Sequence, residues 1–128
     1  MATVELGETD FESTVLEGGI VLVDFWAAWC GPCRAFGPIF DKSSELNPDI
    51  TFGKVDTDAH QELSAALNIQ SIPTLMAFRD GIGIFSQAGA LPAPALADLI
   101  EQIRALDMDD VRRQIAAMSD ELDAAINE

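Results

Sequence analysis

Cys30 and Cys33 are the only cysteines in the 128-residue chain, and they stand three positions apart in Trp29-Cys30-Gly31-Pro32-Cys33. Two thiols so close can close and open a disulfide, and so exchange two electrons with another dithiol. The reactive species is the thiolate. An unperturbed thiol with pKa near 8.5 is only about 3% ionised at neutral pH, and each unit of lowering raises that several-fold. A helix N-terminus supplies such lowering, because its unpaired N–H groups and the positive end of its dipole favour an anion. Cys30 stands where a helix is expected to begin, so it is expected to attack a target disulfide, and Cys33 to be the resolving thiol that displaces the target. Gly31 permits close approach of a second chain. Pro32 has no N–H to leave unpaired in a first turn, and its fixed φ holds the two sulfurs near bonding geometry.

Two structural alternatives are weaker. A purely structural disulfide across so short a loop contributes on the order of 2 kcal/mol before strain. A structural zinc site wants four ligands, whereas the chain offers two cysteines and one histidine, His60, which reads as a solvated helix residue. No metal site is expected. A further titratable candidate is Asp24. It alternates with Ile20 and Leu22 on one strand face, so its carboxylate should point inward, where burial raises its pKa and lets it hold a proton near neutrality. The alternative for Asp24 is a structural pairing with Lys54 or with backbone donors.

Several elements must position these groups. Ile20 to Trp26 is an apolar run broken only by Asp24, the pattern of a central strand covered on both faces. Before it, Thr3 to Leu6 forms a short strand. Thr9-Asp10-Phe11-Glu12 fits a capping box opening a helix to about Leu16, which Gly18-Gly19 ends. From Cys33 onward, Phe36, Ile39, Phe40 and Ser43 share one helix face; Pro38 should kink that helix and Asn47-Pro48 should stop it. Ile50 to Asp56 reads as the next strand, followed by Asp58 as N-cap of a helix burying Leu63, Ala66 and Leu67. Thr74 to Arg79 and Ile82 to Gln87 flank Asp80-Gly81, a strong hairpin signal, after which Gly89 turns the chain outward. Pro92 and Pro94 precede a helix carrying Leu96, Leu99, Ile100 and Ile103 along one side. The order β-α-β-α-β-α-β-β-α predicts an α/β fold, with a mixed sheet of about five strands flanked by about four helices.

The net charge of −15, from 7 basic and 22 acidic residues, opposes binding to nucleic acid or to anionic membranes. The first twenty residues hold five carboxylates and no Lys or Arg, unlike the basic start of a secretory signal. The apolar run Ile20 to Val23 is far short of the roughly 20 residues that span a bilayer. A soluble, cytoplasmic protein is expected, in a compartment where a disulfide is more often catalytic than structural. Residues 1–106 suit one domain, and residues 107–128 form an acidic extension. In it, Asp107 caps a helix whose Met108, Val111, Ile115, Met118 and Leu122 make a narrow apolar stripe. Packing on its own domain, self-association and docking to a partner all remain open for that stripe; a monomer is expected.

The run from Val21 through Trp29-Cys30-Gly31-Pro32-Cys33 to Arg34 resembles the active-site segment of thioredoxins, and Ile72-Pro73-Thr74 resembles the facing loop. The resemblance covers about residues 1–106 and implies the thioredoxin fold. It also implies an activity: reduction of protein disulfides by a pair that an NADPH-dependent flavoprotein reductase restores, with no bound cofactor. Gly-Pro between the cysteines accompanies reductants in that family. The resemblance further implies that Asp24, with Lys54 nearby, acts as base on Cys33, and that Pro73 is cis beside the sulfurs. Trp29, Ile72 and Gly89, with Gly31, Pro32 and Pro73, would form a shallow groove around Cys30, where the Ile72 backbone could pair with an extended client peptide. Ala28 and Arg34 depart modestly from the family's usual residues, and tyrosine is absent. Two rival classes are an interaction module that merely holds clients and a thiol oxidase or isomerase; Gly-Pro and the acidic N-terminal stretch argue against the latter.

Overall fold

In the computed structural model, which describes residues 2–126, the chain runs β1 (Thr3–Glu5), α1 (Phe11–Leu16), β2 (Ile20–Trp26), α2 (Gly31–Leu46), β3 (Thr51–Asp56), α3 (Gln61–Ala66), β4 (Thr74–Arg79), β5 (Ile82–Ala88), α4 (Ala93–Arg104) and α5 (Met108–Ile126). Residues 1, 127 and 128, which the boundaries 1–106 and 107–128 include, lie outside the described residues. The strands form one mixed sheet in the order β1-β3-β2-β4-β5. β3 runs parallel to β1 and β2, while β4 is antiparallel to both β2 and β5.

β2 sits at the centre because its apolar run can be covered on both faces; Val21, Leu22, Val23, Asp24 and Phe25 are all buried. Val21, Val23 and Phe25 point to one face, into a cluster with Leu6, Phe11, Val15, Val55 and Phe78. α1 closes that face through Phe11, whose ring meets Phe25 at 6.4 Å and Phe78 at 5.8 Å. On the other face, Phe40 of α2 packs edge-on against Phe52 of β3 at 5.1 Å and lies 5.7 Å from Phe36. Phe52 pairs with Leu22 and Lys54 with Asp24 across the parallel ladder. Asp24 therefore lies on the α2 face.

The departures from sequence-based expectation are local. The Thr9 capping box does not form: Asp10 is the N-cap of α1, and its Oδ1 accepts from Gly7 N at 2.7 Å instead of capping the helix. α3 starts with His60, not Asp58, as its N-cap. The cause is Asp56, whose Oδ1 accepts from the backbone N of Asp58 and Ala59 at 2.9 and 3.3 Å and holds them in a turn. His60 is half-buried and pairs through Nδ1 with Glu8 Oε2, so it is not simply solvated. Leu63 and Leu67 pack against the core, but Ala66 is exposed and Ser64 is buried in its stead, donating to the His60 carbonyl at 2.9 Å. On α2 the buried stripe ends on Ser44 rather than Ser43. The helix continues through Pro38 and ends at Asn47.

Asp80 and Gly81, with φ of 55° and 82°, make the tight β4–β5 turn, and the Asp80 backbone N donates to the Gly19 carbonyl at 2.9 Å. Pro94 falls inside the first turn of α4, where a missing N–H costs little, and Leu96, Ile100 and Ile103 are buried along that helix. The chain divides into two compact units, up to Asp98 and from Leu99 onward, with the division inside α4. In α5, Asp107 Oδ1 accepts from Asp110 N at 3.2 Å, the expected cap, and Arg112 and Arg113 pair with Asp109 and Asp110 one turn back. Met108 is buried, whereas Ile115, Met118 and Leu122 are exposed.

Phe25 joins the central strand to the aromatic cluster and is fully buried. Phe25→Ala is expected to lower stability by about 3–5 kcal/mol, read from the midpoint of urea unfolding.

Candidate active site

The sheet topology brings four loops to one end. β2 and β3 are parallel neighbours, so the segments leaving both emerge together; β4 runs opposite to β2, so its entry lies there too, and β5 returns to it. Those segments carry Trp29 and Cys30, Thr57 to His60, Ile72 and Pro73, and Gly89. The Ile72–Pro73 bond is cis, and Gly89, with φ of 104°, donates its N–H to the Pro73 carbonyl at 2.8 Å.

Cys30 is the N-cap of α2, with extended backbone, and its Sγ accepts from Cys33 N at 3.2 Å. A sulfur thus takes the place in which a serine or aspartate oxygen usually satisfies an orphan N–H, the environment that favours an anion there. Cys30 and Cys33 are joined by a disulfide, with Cα atoms 5.2 Å apart. Both are nearly fully buried and pack with Ala27, Trp26 and Ile72. Cys30 Sγ lies 3.7 Å from the Ile72 carbonyl oxygen.

Two cavities flank this point. One, of about 330 Å³, is lined by Trp29, Thr57, Ser64, Ile69, Gln70, Ser71 and Ile72. Trp29 is 68% exposed and anchored only at its edge, where Nε1 donates to Asp58 Oδ2 at 2.9 Å. The ring is therefore not part of the core. Gly31, Pro32, Pro73 and Gly89, expected in the same groove, do not line that cavity. The second cavity, of about 250 Å³, lies on the Cys33 side and is lined by Trp26, Ala27, Ala28, Cys33, Arg34, Gly37, Pro38, Asp41 and Lys54. It has room for several water molecules.

Asp24 lies beneath α2, fully buried, and neither carboxylate oxygen has a hydrogen-bond partner. Asp24 thus makes no hydrogen bond to Lys54 or to backbone donors, and Lys54 acts on it only through its charge. Desolvation raises its pKa to about 7; Lys54 pulls it down, and the charge of Asp41 pushes it further up. The Lys54 ammonium is 5.1 Å from the centre of the Trp26 ring, so the indole takes part of its attention. Among the described residues, no group of three or more His, Cys, Asp or Glu is placed to hold a metal ion. No helix among them is long and apolar enough to cross a membrane.

The thioredoxin family model matches residues 2–102. This chain belongs to the thioredoxin family. "Putative thioredoxin 2" of Streptomyces coelicolor is 55% identical over 115 residues, covering 90% of this chain and 86% of that protein. "Thioredoxin 1" of Synechococcus elongatus is 41% identical over 97 residues, covering 74% and 91%. Among solved structures, the thioredoxin of Malassezia sympodialis superposes with a TM-score of 0.71 at 30% identity, covering 79% of this chain and 93% of that one. The Plasmodium falciparum thioredoxin gives 0.71 at 33%, covering 78% and 97%. With its disulfide-forming Cys30–Cys33 pair, the chain is a protein-disulfide oxidoreductase of the thioredoxin family.

Sequence reasoning assigned neither Asp58 nor Asp41 to the site. Asp58 reads as a helix cap because it precedes an amphipathic run; only the parallel pairing of β2 and β3 sets it beside Trp29. Asp41 reads as a solvated helix residue, yet it lies two turns beyond Cys33 on the same side of α2, a relation that the spacing of eight residues carries.

The raised pKa of Asp24 has a stability consequence. The folded state binds this proton more tightly than the unfolded chain, where an aspartate titrates near 3.9. The contribution is therefore fully present below about pH 4 and is lost as pH rises through about 7. Asp24→Asn is expected to abolish this dependence. In urea unfolding of the disulfide form, wild type should lose on the order of 3 kcal/mol relative to the variant between pH 4 and 8. Parallel stability profiles for the two proteins would contradict the assignment.

Proposed function

We propose that Cys30 is the nucleophile and Cys33 the resolving thiol of a cytoplasmic electron carrier that reduces client disulfides. The carrying observation is the Cys30 sulfur at the N-cap of α2, accepting from Cys33 N and facing the Ile72 carbonyl beside the exposed Trp29. Exposure does not separate the two sulfurs, since both are nearly buried. Position does.

In the reduced protein, the Cys30 thiolate attacks one client sulfur; a Cys30–client bond forms, the client disulfide breaks, and the second client sulfur leaves as a thiolate. Cys33 then gives its proton to the Asp24 carboxylate. Its thiolate attacks Cys30, the Cys30–Cys33 bond forms and the Cys30–client bond breaks. Two electrons have passed to the client, whose sulfurs take up protons from Asp24 and solvent. Lys54 stabilises the Asp24 carboxylate between turnovers. Trp29, Ile72 and the Pro73–Gly89 corner are the client surface, with the Ile72 backbone pairing to an extended segment. Gly31 and Pro32 shape the turn between the sulfurs.

An NADPH-dependent flavoprotein reductase is the partner that returns the electrons, and the chain itself needs no bound cofactor. A reductant of this kind works where thiols are kept reduced, which supports the cytoplasm. The family match ends at residue 102, close to the end of α4, which supports a catalytic domain over 1–106 and an extension over 107–128.

Cys33→Ser is expected to accumulate covalent complexes with client proteins on Cys30, seen as high-mass bands on non-reducing gels, and Cys30→Ser to accumulate few. Equal trapping by both variants would reverse or dissolve the assignment. A protein cut after Leu106 should reduce insulin at the full-length rate, because the site lies wholly upstream. Loss of that activity with far-UV circular dichroism intact would tie residues 107–128 to the reaction.

A further inference from the structure

The second cavity holds a charge that the reaction above does not use. On α2, Cys33, Gly37 and Asp41 follow each other at intervals of four and so form one row along the helix. Beneath them, Glu5, Lys54 and Asp24 are register partners on β1, β3 and β2, and register partners point to the same sheet face. Gly37 is the gap through which the rows meet: a Cβ there would be 4.0 Å from Lys54 Nζ. Lys54 thus sits in the middle, with Asp24 on the buried side, Glu5 on the exposed side and Asp41 further along α2. Asp41 Oδ1 is buried without a hydrogen-bond partner, and Asp41 lines the same cavity as Lys54.

We infer that Asp41 is a positioning residue of the release step: from the cavity that it shares with Lys54, its carboxylate competes with Asp24 for that ammonium and so leaves Asp24 the stronger base for the Cys33 proton. The inference rests on the assignment of Asp24 as the base for Cys33. With Lys54 free to turn wholly to Asp24, that carboxylate would be a weaker base. Asp41 acts on Asp24 in the proton-holding direction, opposite to Lys54 and additional to burial. The other groups around Asp24 do not do the same work. Arg34 lines the cavity but donates through Nη1 to the Ala28 carbonyl at 3.1 Å. Glu5 is exposed and screened by solvent. The neighbour of Asp24 on β4 is the apolar Leu75.

The experiment reads Asp24 directly, by the ¹³C chemical shift of its carboxyl carbon in reduced full-length protein, assigned with Asp24→Asn. Asp41→Asn should lower the Asp24 titration midpoint by about half to one pH unit, the effect of a unit charge across a partly solvated cavity. Asp41→Glu, which keeps the charge, should restore it. Stopped-flow release of a reduced fluorescent peptide should show its pH profile displaced downward by the same amount in Asp41→Asn. In an Asp24→Asn background, removing the Asp41 charge should leave that profile unmoved. An unchanged or raised Asp24 midpoint in Asp41→Asn, with the fold intact by circular dichroism, overturns the inference while leaving Asp24 as the base. A lowered midpoint with an unmoved release profile overturns the base assignment itself, and with it any part for Asp41 in release.

Discussion

The parallel pairing of β2 with β3 is the constraint from which the site follows. It sends two loops out of the sheet at the same end, so the turn carrying Trp29 and Cys30 and the turn carrying Asp58 meet without any direct sequence relation. The same pairing aligns Asp24 with Lys54. β4 could have entered the sheet in either direction; antiparallel to β2, it delivers Ile72 and Pro73 to the sulfurs. α2 then begins at that edge and covers one face, with its N-terminus set on the reactive atom and its interior over the buried carboxylate.

A buried aspartate in the central strand, with no hydrogen bond to either carboxylate oxygen, is costly to the fold. A hydrophobic residue at position 24 would remove the desolvation cost and suit its neighbours, since Leu22 and Leu75 flank it. The fold tolerates it because near neutrality the group can take a proton rather than remain a bare charge, and because Lys54 stands beside it. The property that makes Asp24 costly, sensitivity of its charge to small changes in its surroundings, is the property a base for Cys33 needs.

Much of this was legible before any coordinates. The apolar run from Ile20 to Trp26, broken only by Asp24, marked the central strand, Asp80-Gly81 marked the hairpin, and the cysteine pair marked the start of a helix; each is a local pattern with one physical reading. What stayed hidden depends on contacts between segments distant in the chain. Asp58 has the composition and position of a helix cap, but Asp56 captures its backbone N–H and its carboxylate goes to Trp29, 29 residues away. His60 reads as solvated until Glu8 is brought against it. Ser44 replaces Ser43 on the buried stripe of α2, a one-residue drift that a face drawn from Phe36 and Phe40 alone does not fix. Thr9 lost its cap to Asp10 because Gly7 offered that carboxylate a donor.

Charge in this protein acts by place rather than by total. Twenty-two acidic residues against seven basic ones create a field that would, if unscreened, hold protons on every carboxylate. At physiological ionic strength, exposed charges beyond about 8 Å are largely screened, so the net charge of −15 governs encounters with clients and solubility more than the titration of one buried group. The charges that act on it are near ones: Lys54 pulls its pKa down and Asp41 pushes it up, and both line the cavity under α2. Trp29 and Ile72 line the other cavity. Because α2 carries one sulfur at its cap and the other a turn inside, the proposed mechanism puts substrate contact and proton traffic on different groups, so that substitutions would change which disulfides are met without changing how readily Cys33 is deprotonated.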